Sequence, residues 1–365
     1  MAGQKDSIFR EKLTPYLNEL IETLGRSGPE TQAYQAMTAQ YKKSPLEEVV
    51  RESDRLRHYQ SDVHVVFEGK QLRGIERLYR RTIVIEPSSV CAAHCRWCLR
   101  GQYPIFSLRE DELEMIARYC GSAMIREDVK EVLITGGDPL MVPQRLGFLF
   151  GQLKKHAPNI RIFRIGSRVP VQDPDRVDED LMSVIKSAAP VKVEIATHVN
   201  HPAELTEKAR RAYARLYEDV FKIYNQTVLL KGVNDQVPVL NELYDEMRYL
   251  GIESHYLFHC IPMRGMAHHR TSVEKGLNLI ARVTSSGAFS GRAKPMFTLM
   301  TDVGKVTLYQ GTILERNRKN ELLIQTGYTV RDFKARNPSW SMPQSVSEDS
   351  RGYLRVWYPD GSDES

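Results

Sequence analysis

Three of the five cysteines, Cys91, Cys95 and Cys98, fall within eight residues, separated by gaps of three and two. Thiolates spaced that closely on one loop suit a soft, sulfur-seeking iron site. A tetrahedral zinc or a fully ligated cubane takes four ligands, so three thiolates leave one metal corner open. An open iron is useful only when a substrate or cofactor fills it. Three ordinary buried cysteines, or half of a zinc site, account poorly for such clustering.

Other polar residues recur just after apolar runs. Gly136-Gly137-Asp138 follows one of them. The glycines let a backbone come close to a ligand, and Asp138 is either an acceptor beside that ligand or an N-cap. Arg168 offers a guanidinium fork to a carboxylate, or anchors a loop. His198, Asn200, His201, Asn225 and Gln226 add neutral donors and acceptors; His198 and Asn200 either face a ligand or tie adjacent loops together. The histidines have no carboxylate or cysteine at metal-ligand spacing. Arg77, Arg80 and Arg81 precede the cysteines and are either a solvated face or an anion site.

These residues need a scaffold. The β-branched run 82–85 reads as a buried strand leading into the cysteines. Strand-like runs at 129–134, 160–165, 191–196, 220–224 and 252–258 follow, with a short one near 297–300. Helical runs at 110–120, 146–156, 178–187, 204–216 and 237–250 lie between them. Alternation of this kind predicts an α/β fold with a parallel sheet and outer helices. Polar residues at successive strand ends match the edge where such folds build their sites. Six main strands predict a partial (β/α)6 barrel rather than a closed eight-stranded one. No strand is followed by G-x-G-x-x-G or a P-loop.

Residues 1–76 read as a helical extension, with helices around 9–24 and 31–42 and a start signal at Ser44-Pro45. Residues 77–300 form the barrel. Residues 301–365 carry short strand-like runs and are expected over the barrel mouth or at a dimer contact. The chain has 365 residues and a formal charge of +5 with its basic residues dispersed, giving no support to nucleic-acid binding. No run approaches 18 apolar residues, so no membrane span is expected. An odd cysteine count suits a reducing, cytoplasmic setting better than a disulfide framework. Cys120 is expected to be structural.

The cysteine spacing, with Trp97 just before the last cysteine, resembles the radical S-adenosylmethionine (SAM) enzymes. That resemblance implies a [4Fe-4S] cluster on Cys91, Cys95 and Cys98, with SAM on the fourth iron. It also implies a 5′-deoxyadenosyl radical and an external one-electron reductant such as flavodoxin or ferredoxin. Gly136 and Gly137 then match the glycine motif that meets the amino group of SAM.

A closer resemblance covers roughly 79–309. ITGGDPLMV at Ile134, RIGSRVPV at Arg164, THVNHPAELT at Thr197, NQTVLLKGVND at Asn225, GMAHHRTSVEKG at Gly265 and SGRAKP at Ser290 are similar to the lysine 2,3-aminomutase family. Its members also bind pyridoxal phosphate (PLP) and move an amino group between C2 and C3 of an amino acid. The resemblance implies that Arg100 grips the substrate α-carboxylate and that Gln226 lies near PLP. Three departures stand beside it. Ile261 follows Cys260 where lysine mutases carry an aspartate for the substrate ammonium, which points away from lysine. Thr82 stands where the family has a PLP-phosphate arginine, with Arg80 or Arg81 as candidate replacements. The glycine-rich loop before the PLP lysine is missing, so Lys305 is that lysine, or Lys294 is, or the role has been lost. The expected activity is therefore an aminomutase on a small amino acid other than lysine. The alternative is a PLP-independent radical SAM mutase, epimerase or dehydrogenase. A homo-oligomer is compatible with either.

Overall fold

The computed structural model describes residues 10–49, 51, 54, 65–101, 106–285, 287 and 294–363. The SGRAKP motif lies largely outside them. A hairpin of β1 (Val65–Phe67) and β2 (Lys70–Leu72) precedes the main sheet. That sheet has nine strands, each beside the next in chain order. They are β3 (Ile75–Glu76), β4 (Thr82–Ser88), β5 (Glu131–Gly136), β6 (Ile162–Ser167), β7 (Lys192–Thr197), β8 (Lys222–Leu229), β9 (Glu253–His259), β10 (Met296–Thr301) and β11 (Gly304–Thr307). Strands β4 to β10 run parallel, while β3 and β11 are antiparallel edges. The sheet is a partial barrel, as the alternating pattern implies.

Strand periodicity divides the side chains between two faces. Ile83, Ile85, Val132, Ile134, Phe163, Ile165, Val193 and Ile195 belong to the main hydrophobic core with the outer helices. Their alternates Val84, Leu133, Thr135, Gly166 and Ala196 line the barrel interior. Because both faces are covered, every residue of β4 is buried.

The helices are α1 (Pro15–Ser27), α2 (Gln32–Tyr41), α3 (Glu110–Cys120), α4 (Pro143–His156), α5 (Val169–Gln172), α6 (Glu179–Lys186), α7 (Glu207–Leu216), α8 (Val237–Tyr249), α9 (Val273–Ser285) and α10 (Val330–Arg336). Helix α9 supplies the sixth crossover, which periodicity alone did not mark. Strand β8 runs on through Asn225–Thr227, where a strand end was expected. The Asn225 amide accepts from Val199 N at 2.7 Å and donates to Val199 O at 2.9 Å. A side chain that mimics a peptide group can sit in a buried strand without an unsatisfied polar atom.

Ser44 does cap a helical turn, with Glu47 completing a capping box, but the turn is a single 3₁₀ segment, Pro45–Glu48. Helices α1 and α2 roof the cysteine loop: Leu17, Ile21, Met37 and Tyr41 pack with Ala93, Cys95 and Trp97 in a second hydrophobic cluster. The C-terminal strands β12 (Ile313–Arg316), β13 (Glu321–Thr329), β14 (Val346–Glu348) and β15 (Tyr353–Pro359) form a separate antiparallel sheet. Its contacts run along the β9–β11 side of the barrel. Tyr358 Oη lies 2.8 Å from His259 Nδ1, and Tyr328 Oη donates to Lys305 O at 3.2 Å. Among the described residues, no helix is long and apolar enough to cross a membrane.

Candidate active site

The cysteine loop leaves β4 and is fixed by backbone contacts. Gly137 N donates to Ser88 O and Asp138 N to Val90 O, each at 2.7 Å. A Cβ on Gly137 would stand 2.2 Å from Val90 O, and one on Gly136, whose φ is +105°, 2.7 Å from Ser88 O. These glycines therefore press the β5 end against the loop. On the other side Lys12 Nζ donates to Cys91 O at 2.6 Å, and Arg96 N to Gln40 O at 2.9 Å. The Arg96 guanidinium forms a buried pair with Glu47, tying the N-terminal turn to the loop.

Cys95 is buried and Cys91 and Cys98 are half-buried. Burial, and then the neighbouring thiols, push Cys98 up to about 11 and Cys91 well above its ordinary value. Thiols close enough to repel as anions need a cation to become thiolates. No three Cys, His, Asp or Glu side chains among the described residues converge on one metal ion, as a single zinc would require. Thiolates that each hold their own iron need no such convergence. The donor set thus fits the cluster.

Asp138 caps the turn after β5, accepting from Leu140 N at 3.1 Å. Its other oxygen accepts from Ser167 Oγ, Arg168 N and Val169 N at 3.0, 2.7 and 3.1 Å. That carboxylate joins two strand ends through hydrogen bonds made inside the protein. Arg168 is likewise an anchor: Nε donates to His198 O at 2.8 Å, Nη1 reaches Cys95 Sγ at 2.7 Å, and Nη2 pairs with Glu204. Asn200, expected at a cofactor, donates to Gln40 Oε1 at 3.0 Å and accepts from Val228 N at 2.8 Å. Its amide holds α2 to β8. His201 caps the turn at Pro202, and Gln32 meets its other ring nitrogen.

Other expected residues gather around a cavity of about 160 Å³ inside the barrel, lined by Trp97, Arg100, His198, Gln226, Ile261 and Lys305 among others. Burial, with Arg168 and Lys305 nearby, pushes His198 down to about 3, so its imidazole is neutral. His198 Nδ1 and Trp97 Nε1 have no hydrogen-bond partner among the described residues. Buried polar atoms left open on a cavity wall suit a polar ligand.

Lys305, on β11 opposite Met300, sends its ammonium over the rings of Phe258 and Tyr256, at 5.1 and 5.3 Å from their centroids. Burial, then Arg164, pushes its amine down to about 8. Lys294 is exposed and lies away from this wall. Lys305 is the lysine that the fold brings to the cavity.

Charge bears on two expectations. Arg100 is already engaged: its Nη1 lies 3.3 Å from Glu76 and in closer contact with Glu86. Burial is the chief cause that raises Glu86 to about 7, against the pull of Arg100. The arginines expected to replace the phosphate ligand also turn away. Arg80 pairs with Asp128 at 2.8 Å on the surface, and Arg81 is exposed. A buried phosphate needs answering cations or N–H donors. Of the described cavity cations, Arg100 faces two acids, which leaves Lys305. Lys305 suits the aldehyde end of PLP, while the described cavity cations offer its phosphate end no guanidinium that is not already facing an acid.

Sequence reasoning missed Glu76, Glu86, Gln40 and Gln172. Only Glu86 left a signal, as the one acid in the apolar strand TIVIE.

Residues 85–244 match the model of the radical SAM superfamily. A provisionally named L-lysine 2,3-aminomutase of Aquifex aeolicus is 33% identical over 258 residues, 68% of this chain and 67% of that protein. L-lysine 2,3-aminomutase of Clostridium subterminale is 33% identical over 62% of this chain and 53% of its own length. Glutamate 2,3-aminomutase of Clostridioides difficile is 29% identical over 63% and 54%. The chain thus spans about half to two thirds of the length of these relatives. With the cysteine loop, the strand-end residues and the cavity lysine in one partial barrel, the chain belongs to the lysine 2,3-aminomutase family of radical SAM enzymes.

Proposed function

We propose that this protein is a radical SAM aminomutase that moves an amino group between C2 and C3 of a small amino acid other than lysine. The observation that carries the reading is one shared cavity: Trp97 and Arg100 of the cysteine loop line it together with Lys305. The [4Fe-4S] cluster and SAM, when bound, supply the 5′-deoxyadenosyl radical. Cys91, Cys95 and Cys98 hold the cluster, while Gly136 and Gly137 fix the loop that bears it. The apolar side chains Ile261, Phe258 and Met300 keep water from the cavity. Neutral His198 and buried Gln226 offer hydrogen bonds without adding charge. Lys305 offers the amine of a carbonyl-binding site. Ile261 places no acid where a lysine side chain would need one.

A second reading keeps the SAM chemistry without PLP, and the missing phosphate cradle favours it. Purified protein incubated with PLP distinguishes the two. The aminomutase reading expects a visible-edge absorbance band, its fixation by borohydride on Lys305, and loss of both in Lys305→Met. SAM cleavage without any such band selects the second reading. No SAM cleavage after anaerobic reconstitution and reduction refutes both.

A further inference from the structure

Cys95 is the most enclosed of the three loop cysteines, and two side-chain N–H groups meet its sulfur. Arg168 Nη1 lies 2.7 Å from Sγ and Gln172 Nε2 lies 3.2 Å from it. Among the described residues, no such side-chain donor reaches Cys91 or Cys98. Both donors are buried, and Arg168 is held from several sides. Arg168 pairs with Glu204, bonds His198 O, and lies over the Trp97 ring at 4.9 Å and the Tyr41 ring at 5.3 Å. Gln172, 2% exposed at the end of α5, is held through its backbone carbonyl, which accepts from Thr14 Oγ1 at 2.5 Å. Gln40 of α2 braces the same network through Glu204 and Asn200, at 3.3 and 3.0 Å. The N-terminal helices thus complete the surroundings of one cysteine sulfur.

We propose that Gln172, together with Arg168, sets the reduction potential of the cluster by donating N–H···S hydrogen bonds to its Cys95 ligand. The inference rests on the cluster reading above. A one-electron reduction adds negative charge that spreads onto the ligand sulfurs. In a buried site, water does not answer that charge. Donors fixed beforehand at the sulfur favour the reduced form over the oxidised one and raise the potential. Arg168 adds a permanent positive charge, but its removal also strands Glu204. Gln172 is neutral and is the residue to perturb. Both act as positioning residues on the cluster.

The test uses the full chain, reconstituted anaerobically, with Gln172→Met and Gln172→Glu, which keep the side-chain length. Iron and sulfide content are measured first. A mediated titration with dithionite, followed by electron paramagnetic resonance, then gives the potential. Loss of the donor is expected to lower the reduction equilibrium constant on the order of tenfold, about 59 mV for one electron, at unchanged iron content. The glutamate variant shifts at least as far, because its carboxylate opposes the added charge. A potential within twofold of the parent, in equilibrium-constant terms, overturns the inference, as does an upward shift. If neither variant retains iron, Gln172 serves cluster retention and the assignment to potential is overturned. A parent chain that takes up no iron overturns the cluster reading itself and this inference with it.

Discussion

Glu86→Gln tests whether the acids around Arg100 are as closely confined as the structure has them. Glu86 is raised from an ordinary 4.5 to about 7, first by burial and then by Glu76, with Arg100 opposing. An acid whose folded value exceeds its unfolded one stabilises the fold fully below the unfolded value. That stability is lost as pH rises through the folded value. The gap between 4.5 and about 7 is worth about 3 kcal/mol at its limit. The parent protein should therefore lose up to about 3 kcal/mol from this group between pH 4.5 and 8. Glutamine cannot ionise, so the variant should lack that component. Urea unfolding of both cluster-free chains under reducing conditions at pH 5, 6, 7 and 8 measures the difference. The stability of Glu86→Gln relative to the parent should rise with pH, most steeply between 5 and 7, and level off towards 8. A difference that is flat across the series, or that falls, would refute the assignment of a proton to this buried carboxyl.

Gly137→Ala would put a methyl group 2.2 Å from Val90 O, against backbone that has no rotamer to give. Displacement of the cysteine loop, read as a severalfold loss of iron after reconstitution, is expected, and full iron retention would show that the loop yields cheaply. Glu47→Gln leaves the Arg96 guanidinium buried with a neutral partner. It should cost about 3–5 kcal/mol in urea unfolding, whereas a loss under about 1 kcal/mol would mean that the turn at Pro45–Glu48 lifts away and water reaches Arg96.

The chemistry of the chain was readable where it is written locally. Cysteine spacing on one loop, a strand before it and polar residues at successive strand ends are short-range patterns, and the partial barrel follows from their alternation. The polar residues of β8 were read as a strand end because a peptide-like pairing between Asn225 and Val199 leaves no mark in a single segment. The same reasoning limits the site. Arg100 was assigned by its place after Cys98, yet its guanidinium is paired with Glu76 of β3 and Glu86 of β4.

Sequence alone determined that three thiols stand together, that one metal corner is left over, and that the alternating strands carry them into a barrel. Tertiary structure decided what those groups touch: Gln40, 128 residues from Arg168, helps to hold it beside Cys95. It also turned Arg80 outward and Lys305 inward. Spacing along the chain fixes which residues share a loop or a face, because backbone geometry repeats over a few residues. The partner of a buried charge is chosen by which distant segments pack against it, and no local period records that choice.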